Sequence, residues 1–169
     1  MRHPVGGYQL AQVNVGVPVA PLDSEQLRGF TDQLEPVNAL ADAAPGFVWR
    51  LQTEDGDATA LRPDPSVPDL IINLSVWESV EALATFVYRG LHADVMRGRR
   101  QWFVPMREAF TCAWWIPTDT LPTMPEALAR LDLLRRNGPG RQAFTLARPF
   151  PRPDADAPVR VGDDWFCPA

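Results

Sequence analysis

The stretch from residue 70 to residue 103 constrains the fold most, because it joins a strand-length apolar run directly to a helical pattern. Residues 70–77 are almost continuously apolar, which predicts a strand in the centre of a sheet. Glu78 and Ser79 break the run, and Ser79 is a suitable N-cap for the following helix. Three polar or amphipathic groups interrupt this otherwise buried stretch: Asn73, Trp77 and His92.

Length and composition exclude several classes of protein. A chain of 169 residues, 46% hydrophobic and 22% charged, suits one soluble domain with a real core. A net charge of −5 argues against a general nucleic-acid or anionic-membrane binder, and no window is apolar over the ~20 residues of a membrane span. Neither Cys112 nor Cys167 has partners at zinc spacing, so we expect no metal site and a reduced, cytoplasmic protein.

Alternating and helical patterns give the order of elements. Strands are predicted over 8–17, 47–53, 70–77 and 110–116. Helices are predicted to begin at Asp23, Ser79 and Thr123, and Pro36 is expected to kink or split the first of them. The order is therefore βαββαβ plus a C-terminal helix, which predicts an α+β, ferredoxin-like domain with an antiparallel four-stranded sheet.

The predicted domain covers residues 1–147, and a Pro-rich arm, residues 148–169, follows it with Trp165 and Phe166 as its only anchors. On the first strand Ala11, Val13 and Val15 form an aliphatic face, which we expect to lie under the helices.

The opposite face of the sheet combines amides with aromatic side chains, and it is expected to carry Leu10, Gln12, Asn14, Phe47 or its neighbours, Asn73, Trp77 and Trp114. So much exposed apolar surface is unfavourable in a monomer. We therefore expect a homodimer in which two sheets face each other and enclose a pocket.

Four segments carry a family resemblance: QLAQVNVG, PGFVWRLQT, INLSVWESVEAL and HADVMRGRRQWF. They resemble a bacterial family known as domain of unknown function 3291, over roughly residues 8–150. That family is placed in the dimeric α+β barrel superfamily, beside the antibiotic-biosynthesis monooxygenases. The resemblance implies the fold more firmly than any activity.

Asn73 and Trp77 lie four residues apart on one strand and so share a face. The pair is similar to the Asn and Trp of cofactor-independent, quinone-forming monooxygenases. There an amide and an indole N–H would hold a phenolate and oxygen in a dry pocket. The alternative is structural: Asn73 would satisfy a loop and Trp77 would belong to the core.

His92 has three interpretations. It is a general base aimed at the pocket, a haem ligand, or a structural histidine at a helix start. Arg99 and Trp102 share its helical face and are predicted to contact the ligand. Arg99, with Arg97 and Arg100, either binds an anion or lies on a solvated face.

The remaining candidates are buried amides and aromatic residues. Gln12 and Asn14 need hydrogen-bond partners if buried, so they line the pocket or bridge the dimer. Trp49 and Trp114 are predicted to contact the ligand, whereas Cys112 is expected to be a small core residue.

Three functions follow from these candidates. The first is an enzyme resembling the antibiotic-biosynthesis monooxygenases, which acts without a cofactor on an aromatic or polyketide-like ligand through Asn73, Trp77 and His92. The second is a non-catalytic, ligand-binding dimer, and the third is a haem-binding protein that uses His92.

Overall fold

The computed structural model describes residues 7–155, except for the side chains of Leu91 and His92. Its strands and helices, in chain order, are β1 Tyr8–Gly16, α1 Arg28–Asp42, β2 Phe47–Arg50, β3 Ile71–Trp77, α2 Val80–Tyr88, α3 Gly90–Arg97, α4 Arg99–Trp102, β4 Thr111–Pro117 and α5 Met124–Asn137. The strands form one antiparallel sheet in the order β2-β3-β1-β4. This is the ferredoxin-like order with an added C-terminal helix, so the predicted α+β fold is confirmed.

Local sequence signals explain where most helices begin and end. Ser79 caps α2, because its hydroxyl accepts a hydrogen bond from the Ala82 N–H at 3.1 Å. Arg89 is extended and Gly90 has a φ of +67°, and together they separate α2 from α3. Thr123 caps α5 in the same way through the Glu126 N–H, at 3.3 Å.

The first helix begins later than predicted. A 3₁₀ turn, Glu25–Leu27, occupies the segment after Asp23, and α1 begins only at Arg28. Both the N–H and the hydroxyl of Ser24 donate to the Pro21 carbonyl, which closes a tight turn where the helix was expected. Pro36 lies inside α1, and the helix continues through it to Asp42.

The register of β1 and β3 sets the two faces of the sheet. Opposite pairs are Leu10 with Trp77, Gln12 with Ser75, and Asn14 with Asn73. We call the surface that carries these residues the amide face. The other surface, the aliphatic face, carries the alternate residues Ala11, Val13, Val15, Ile72, Leu74, Val76, Cys112, Trp114 and Ile116.

Helices cover both faces, whereas only the aliphatic face was expected to lie under helices of the same chain. Ala41 at the end of α1, and Val80 and Leu83 of α2, pack with Leu10 and Trp77 on the amide face. The aliphatic face is covered by α5, through its buried residues Ala127, Leu131 and Leu134. The expectation that the helices lie on the aliphatic face is wrong for α1 and α2, because the amide face carries enough apolar surface to hold them, and it holds for α5.

The dimer was predicted because the amide face was expected to be uncovered in a single chain. Helices of the same chain cover the apolar part of the amide face at Leu10 and Trp77, so that part does not need a second subunit to hide it. The homodimer therefore stays a prediction.

The segment before the C-terminal arm and the start of the arm both lie against the domain. Phe144 exchanges backbone hydrogen bonds with Ala113 on the edge of β4, at 2.8 and 2.9 Å. The Trp115 Nε1 donates to the Phe150 carbonyl at 2.8 Å. The anchors Trp165 and Phe166 lie outside the described residues, so the division at residue 147 stays a prediction. Within residues 7–155, no helix has the length and apolar character needed to cross a membrane.

The packing of α5 predicts a stability effect. Leu131→Ala should lower the free energy of unfolding by about 2–5 kcal/mol, because Leu131 is 1% exposed at the centre of the aliphatic face. Leu121→Ala is the matched control, since Leu121 is 54% exposed and should change stability by less than about 0.5 kcal/mol. Urea unfolding followed by circular dichroism measures both, and equal effects would contradict the proposed role of α5.

Candidate functional site

A cleft of about 100 Å³ lies between the amide face and the helices α1, α3 and α4. We call it the amide cleft. The side chains that give it its chemistry are Asn14, Asn73, Phe30, Gln33, Arg99 and Trp102. The first two come from neighbouring strands and stand opposite each other in the sheet, so two amides share the floor.

The cleft exists because α1 stands away from the sheet over most of its length. Its apolar stripe, Phe30, Leu34 and Val37, is only half-buried and lines the cleft, whereas Ala41 is buried. Asn73 is exposed although β3 is an internal strand. The cleft is therefore open to solvent, and a ligand that entered it would bury apolar surface on α1.

Arg99 is the only charged side chain among the described residues of the cleft lining. Its Nη2 donates to the Val15 carbonyl at 2.9 Å, and its guanidinium lies 4.2 Å from the centre of the Phe110 ring and 4.9 Å from that of Phe103. Burial lowers the pKa of Arg99 from its ordinary value, because desolvation disfavours the cation. No described carboxylate forms an ion pair with it.

Glycines make room for the aromatic wall of the cleft. A Cβ on Gly98 would lie 2.7 Å from the Trp102 ring, and one on Gly29 would lie 3.2 Å from it. Phe30 approaches the same indole, with ring centres 5.9 Å apart. Trp102 therefore sits close against backbone on two sides, which holds its ring in place.

Gly16 supports the position of Arg99. A Cβ at Gly16 would lie 2.7 Å from Phe103 Cδ1 and 3.3 Å from Arg99 Nη2. The end of β1 must therefore be glycine if the guanidinium is to reach the Val15 carbonyl.

Trp77 does not line the cleft. It is 1% exposed and packs against Phe47 and Phe86, with ring centres 5.4 and 5.1 Å away. Its Nε1 donates to Ser75 Oγ at 3.0 Å, and Ser75 Oγ donates to Gln12 Oε1 at 3.2 Å. The structure therefore brings the predicted site residues Asn14, Asn73, Arg99 and Trp102 together in the cleft, while Gln12 and Trp77 lie in a buried hydrogen-bond chain behind them.

Trp49 and Trp114 lie on the aliphatic face, away from the cleft. The expectation that Trp114 shares a face with Asn14 is wrong, because β4 pairs Trp114 with Ala11. In a regular strand Phe47 and Trp49 would share a face, but a register shift between them places Phe47 against Trp77 and Trp49 against Val76. Trp114 Nε1 is buried with no hydrogen-bond partner among the described residues.

His92 belongs to α3, whose Val95 and Met96 line the cleft. Its side chain lies outside the described residues, so its assignment as base or haem ligand stays a prediction. In the part of the chain that the structure describes, no three His, Cys, Asp or Glu side chains are grouped to hold a metal ion. Burial raises the pKa of the Cys112 thiol to about 12, so it remains protonated at neutral pH and is a poor nucleophile.

Sequence reasoning missed three participants: Gln33, Gly16 and Ser75. Gln33 carried a signal, since it interrupts the apolar stripe of α1 three residues after Phe30. Ser75 lies between Asn73 and Trp77 on the same face of β3, and period two alone would have found it. Gly16 carried no signal in the sequence, because the need for a glycine there comes from its contact with the distant Phe103.

The close contact at Gly16 predicts that a larger residue there lowers stability. Gly16→Ala should lower the free energy of unfolding by about 1–3 kcal/mol, because the added methyl must displace Phe103 and Arg99. Gly140→Ala is the control, since a Cβ at that position meets no atom within 4 Å. Urea titration of both variants tests the contact, and identical midpoints would contradict it.

No curated protein matches the chain in sequence. A solved structure of a protein of unknown function from Nitrosomonas europaea is 11% identical and covers 69% of this chain and 94% of its own, with a TM-score of 0.42. A variant of SnoaB, a cofactor-independent oxygenase from Streptomyces nogalater, is 14% identical and covers 68% of this chain and 98% of its own, also at 0.42. The family model for the domain of unknown function DUF3291 matches residues 9–160, and the chain belongs to that family.

Proposed function

We propose that this protein binds a small aromatic anion in the amide cleft and oxidises it with dioxygen, without flavin or metal. One observation carries the binding part of the proposal. Arg99 is a desolvated cation that lines a cleft of amides and aromatic rings and has no described carboxylate partner.

The electrostatics favour an anion. A partly buried charge without a counterion costs free energy, which a bound carboxylate or phenolate would recover by charge-assisted hydrogen bonds to the guanidinium. Asn14 and Asn73 add amide N–H donors on the floor of the same cleft. No acidic side chain is found among its described lining residues, so no carboxylate there repels an oxyanion.

The size and lining favour a single ring. Trp102 and Phe30 offer aromatic faces, and the cleft volume of about 100 Å³ is of the order of an engineered cavity that holds benzene. Drug-sized ligands usually occupy pockets of about 300 Å³ or more. A larger, polyketide-like ligand would therefore insert one ring and leave the rest at the open mouth.

The proposed reaction converts a phenol to a para-quinone. One phenol and one dioxygen give one quinone and one water, and the ring loses two hydrogens and gains one oxygen. Arg99, Asn14 and Asn73 would hold the phenolate, which is the electron-rich form that reduces oxygen. The described lining contains no carboxylate or imidazole to act as a base, so His92 on α3 is the residue we assign to take the phenolic proton.

The binding part predicts a shift in ligand ionisation. The pKa of 4-nitrophenol should fall when it binds, because Arg99 stabilises the phenolate. At a pH below the pKa of free 4-nitrophenol, protein should therefore increase the yellow phenolate absorbance. Arg99→Gln should weaken phenolate binding by about 1.5–3 kcal/mol.

Arg100→Gln is the matched control for that titration, since Arg100 neighbours Arg99 on α4 but is exposed. It should bind as the unsubstituted protein does. Equal losses in both variants would mean that general charge, and not the cleft, attracts the anion.

The catalytic part predicts oxygen consumption with a hydroxylated aromatic substrate. Asn73→Ala and His92→Ala should each reduce oxygen uptake at least tenfold, the effect usual for losing an oxyanion donor or a general base. An oxygen electrode measures the rate, and circular dichroism checks the fold. If the unsubstituted protein binds phenolate but consumes no oxygen, the catalytic part is wrong and the protein is a non-catalytic binding protein.

A further inference from the structure

Two glycines beside the amide cleft, Gly29 and Gly98, have no backbone reason to be glycine. Neither has a positive φ. Gly29 lies in the first turn of α1, and Gly98, between α3 and α4, has φ −78° and ψ −6°, in the right-handed helical region that any residue adopts. A Cβ on either glycine would lie 3.2 Å or closer to the Trp102 indole ring. Both glycines therefore make room for the same side chain.

The Trp102 indole has little room to move away from the cleft. The Trp102 carbonyl accepts a hydrogen bond from the Val19 N–H at 2.9 Å, which fixes the end of α4. The backbone at Gly29 and at Gly98 lies close to the ring, and the centre of the Phe30 ring is 5.9 Å from it. Trp102 is nevertheless only half-buried, and it lines the cleft. A displaced indole would therefore move into the cleft.

We infer that Trp102 limits the ring that enters the cleft to a single, unfused one, and that Gly29 and Gly98 are positioning residues that hold the indole in place. This inference rests on the proposed function, since it concerns the ligand of the same cleft. A flexible side chain such as methionine could yield to a larger ring. An indole backed by two stretches of helix backbone cannot retreat, so a second ring fused on the α4 side would overlap it. The ligand can extend through the open mouth but not past Trp102.

Two phenolates that differ by one fused ring, 4-nitrophenol and 4-nitro-1-naphthol, test the limit. In calorimetric titrations at a pH where both are ionised, the unsubstituted protein should bind the single-ring phenolate about tenfold more tightly. Trp102→Leu removes the wall on the α4 side and should abolish that preference. Trp49→Leu is the matched control, because Trp49 is also half-buried but lies on the aliphatic face, and it should leave the preference unchanged.

Gly98→Ala tests the positioning role with the opposite change. The added methyl would lie 2.7 Å from Trp102 Cη2 and push the indole into the cleft, so binding of the single-ring phenolate should weaken about tenfold. In the Trp102→Leu background no indole meets the methyl, and Gly98→Ala should then change affinity little. This non-additivity separates positioning of the indole from a general loss of stability. Gly140→Ala is the control, since its Cβ meets no atom within 4 Å.

The outcomes separate this inference from the proposed function. If the unsubstituted protein binds neither phenolate, both fall. If single-ring binding depends on Arg99 but the two-ring phenolate binds equally well, or the preference survives Trp102→Leu, the function stands and the inference is overturned. A preference that is lost in Trp102→Leu and kept in Trp49→Leu supports it. Urea midpoints show whether each variant is folded, and Trp102→Phe is the milder substitution to use if Trp102→Leu unfolds.

Discussion

The contact between the Arg99 guanidinium and the Val15 carbonyl holds the proposed site together. It links α4 to the end of β1 across the cleft, between the rings of Phe103 and Phe110. A cation there is stabilised by one backbone dipole and two aromatic faces, which only partly replace its lost hydration. The glycine at position 16 permits this approach, and the remaining donors of the guanidinium are what a ligand would use.

The helices pack differently on the two faces of the sheet, and only one face leaves an open cleft. The aliphatic face is packed against α5 as a conventional core of leucine, valine and alanine side chains. The amide face is covered only where α2 and the end of α1 pack on Trp77 and Leu10, and it opens further along at Asn14 and Asn73. The packed parts of both faces stabilise the fold. The open end of the amide face can therefore carry exposed amides and half-buried aromatic residues.

Much of the site could be predicted from the sequence. Asn14, Asn73, Arg99 and Trp102 were identified from strand and helix periodicity, and they line one cleft. Trp77 was predicted either to face a ligand or to belong to the core, and it lies in the core, where its indole donates to Ser75. Trp49 and Trp114 were predicted to contact the ligand, and a register shift in β2 and the pairing of β4 put them on the aliphatic face. A register is a long-range property, and one residue of slip reverses the face of every side chain.

The sequence by itself determined the order of elements, the ferredoxin-like plan and the residues that alternate on each strand. Those features depend on neighbours in the chain: apolar periodicity, the Ser79 and Thr123 caps, and the break at Gly90. Only the tertiary structure decided which helices cover which face, where α1 leaves a cleft, and that Trp77, Ser75 and Gln12 are buried together. Both faces carry enough apolar area to attract a helix, so the choice between them is made by packing across the whole domain and not by any local pattern.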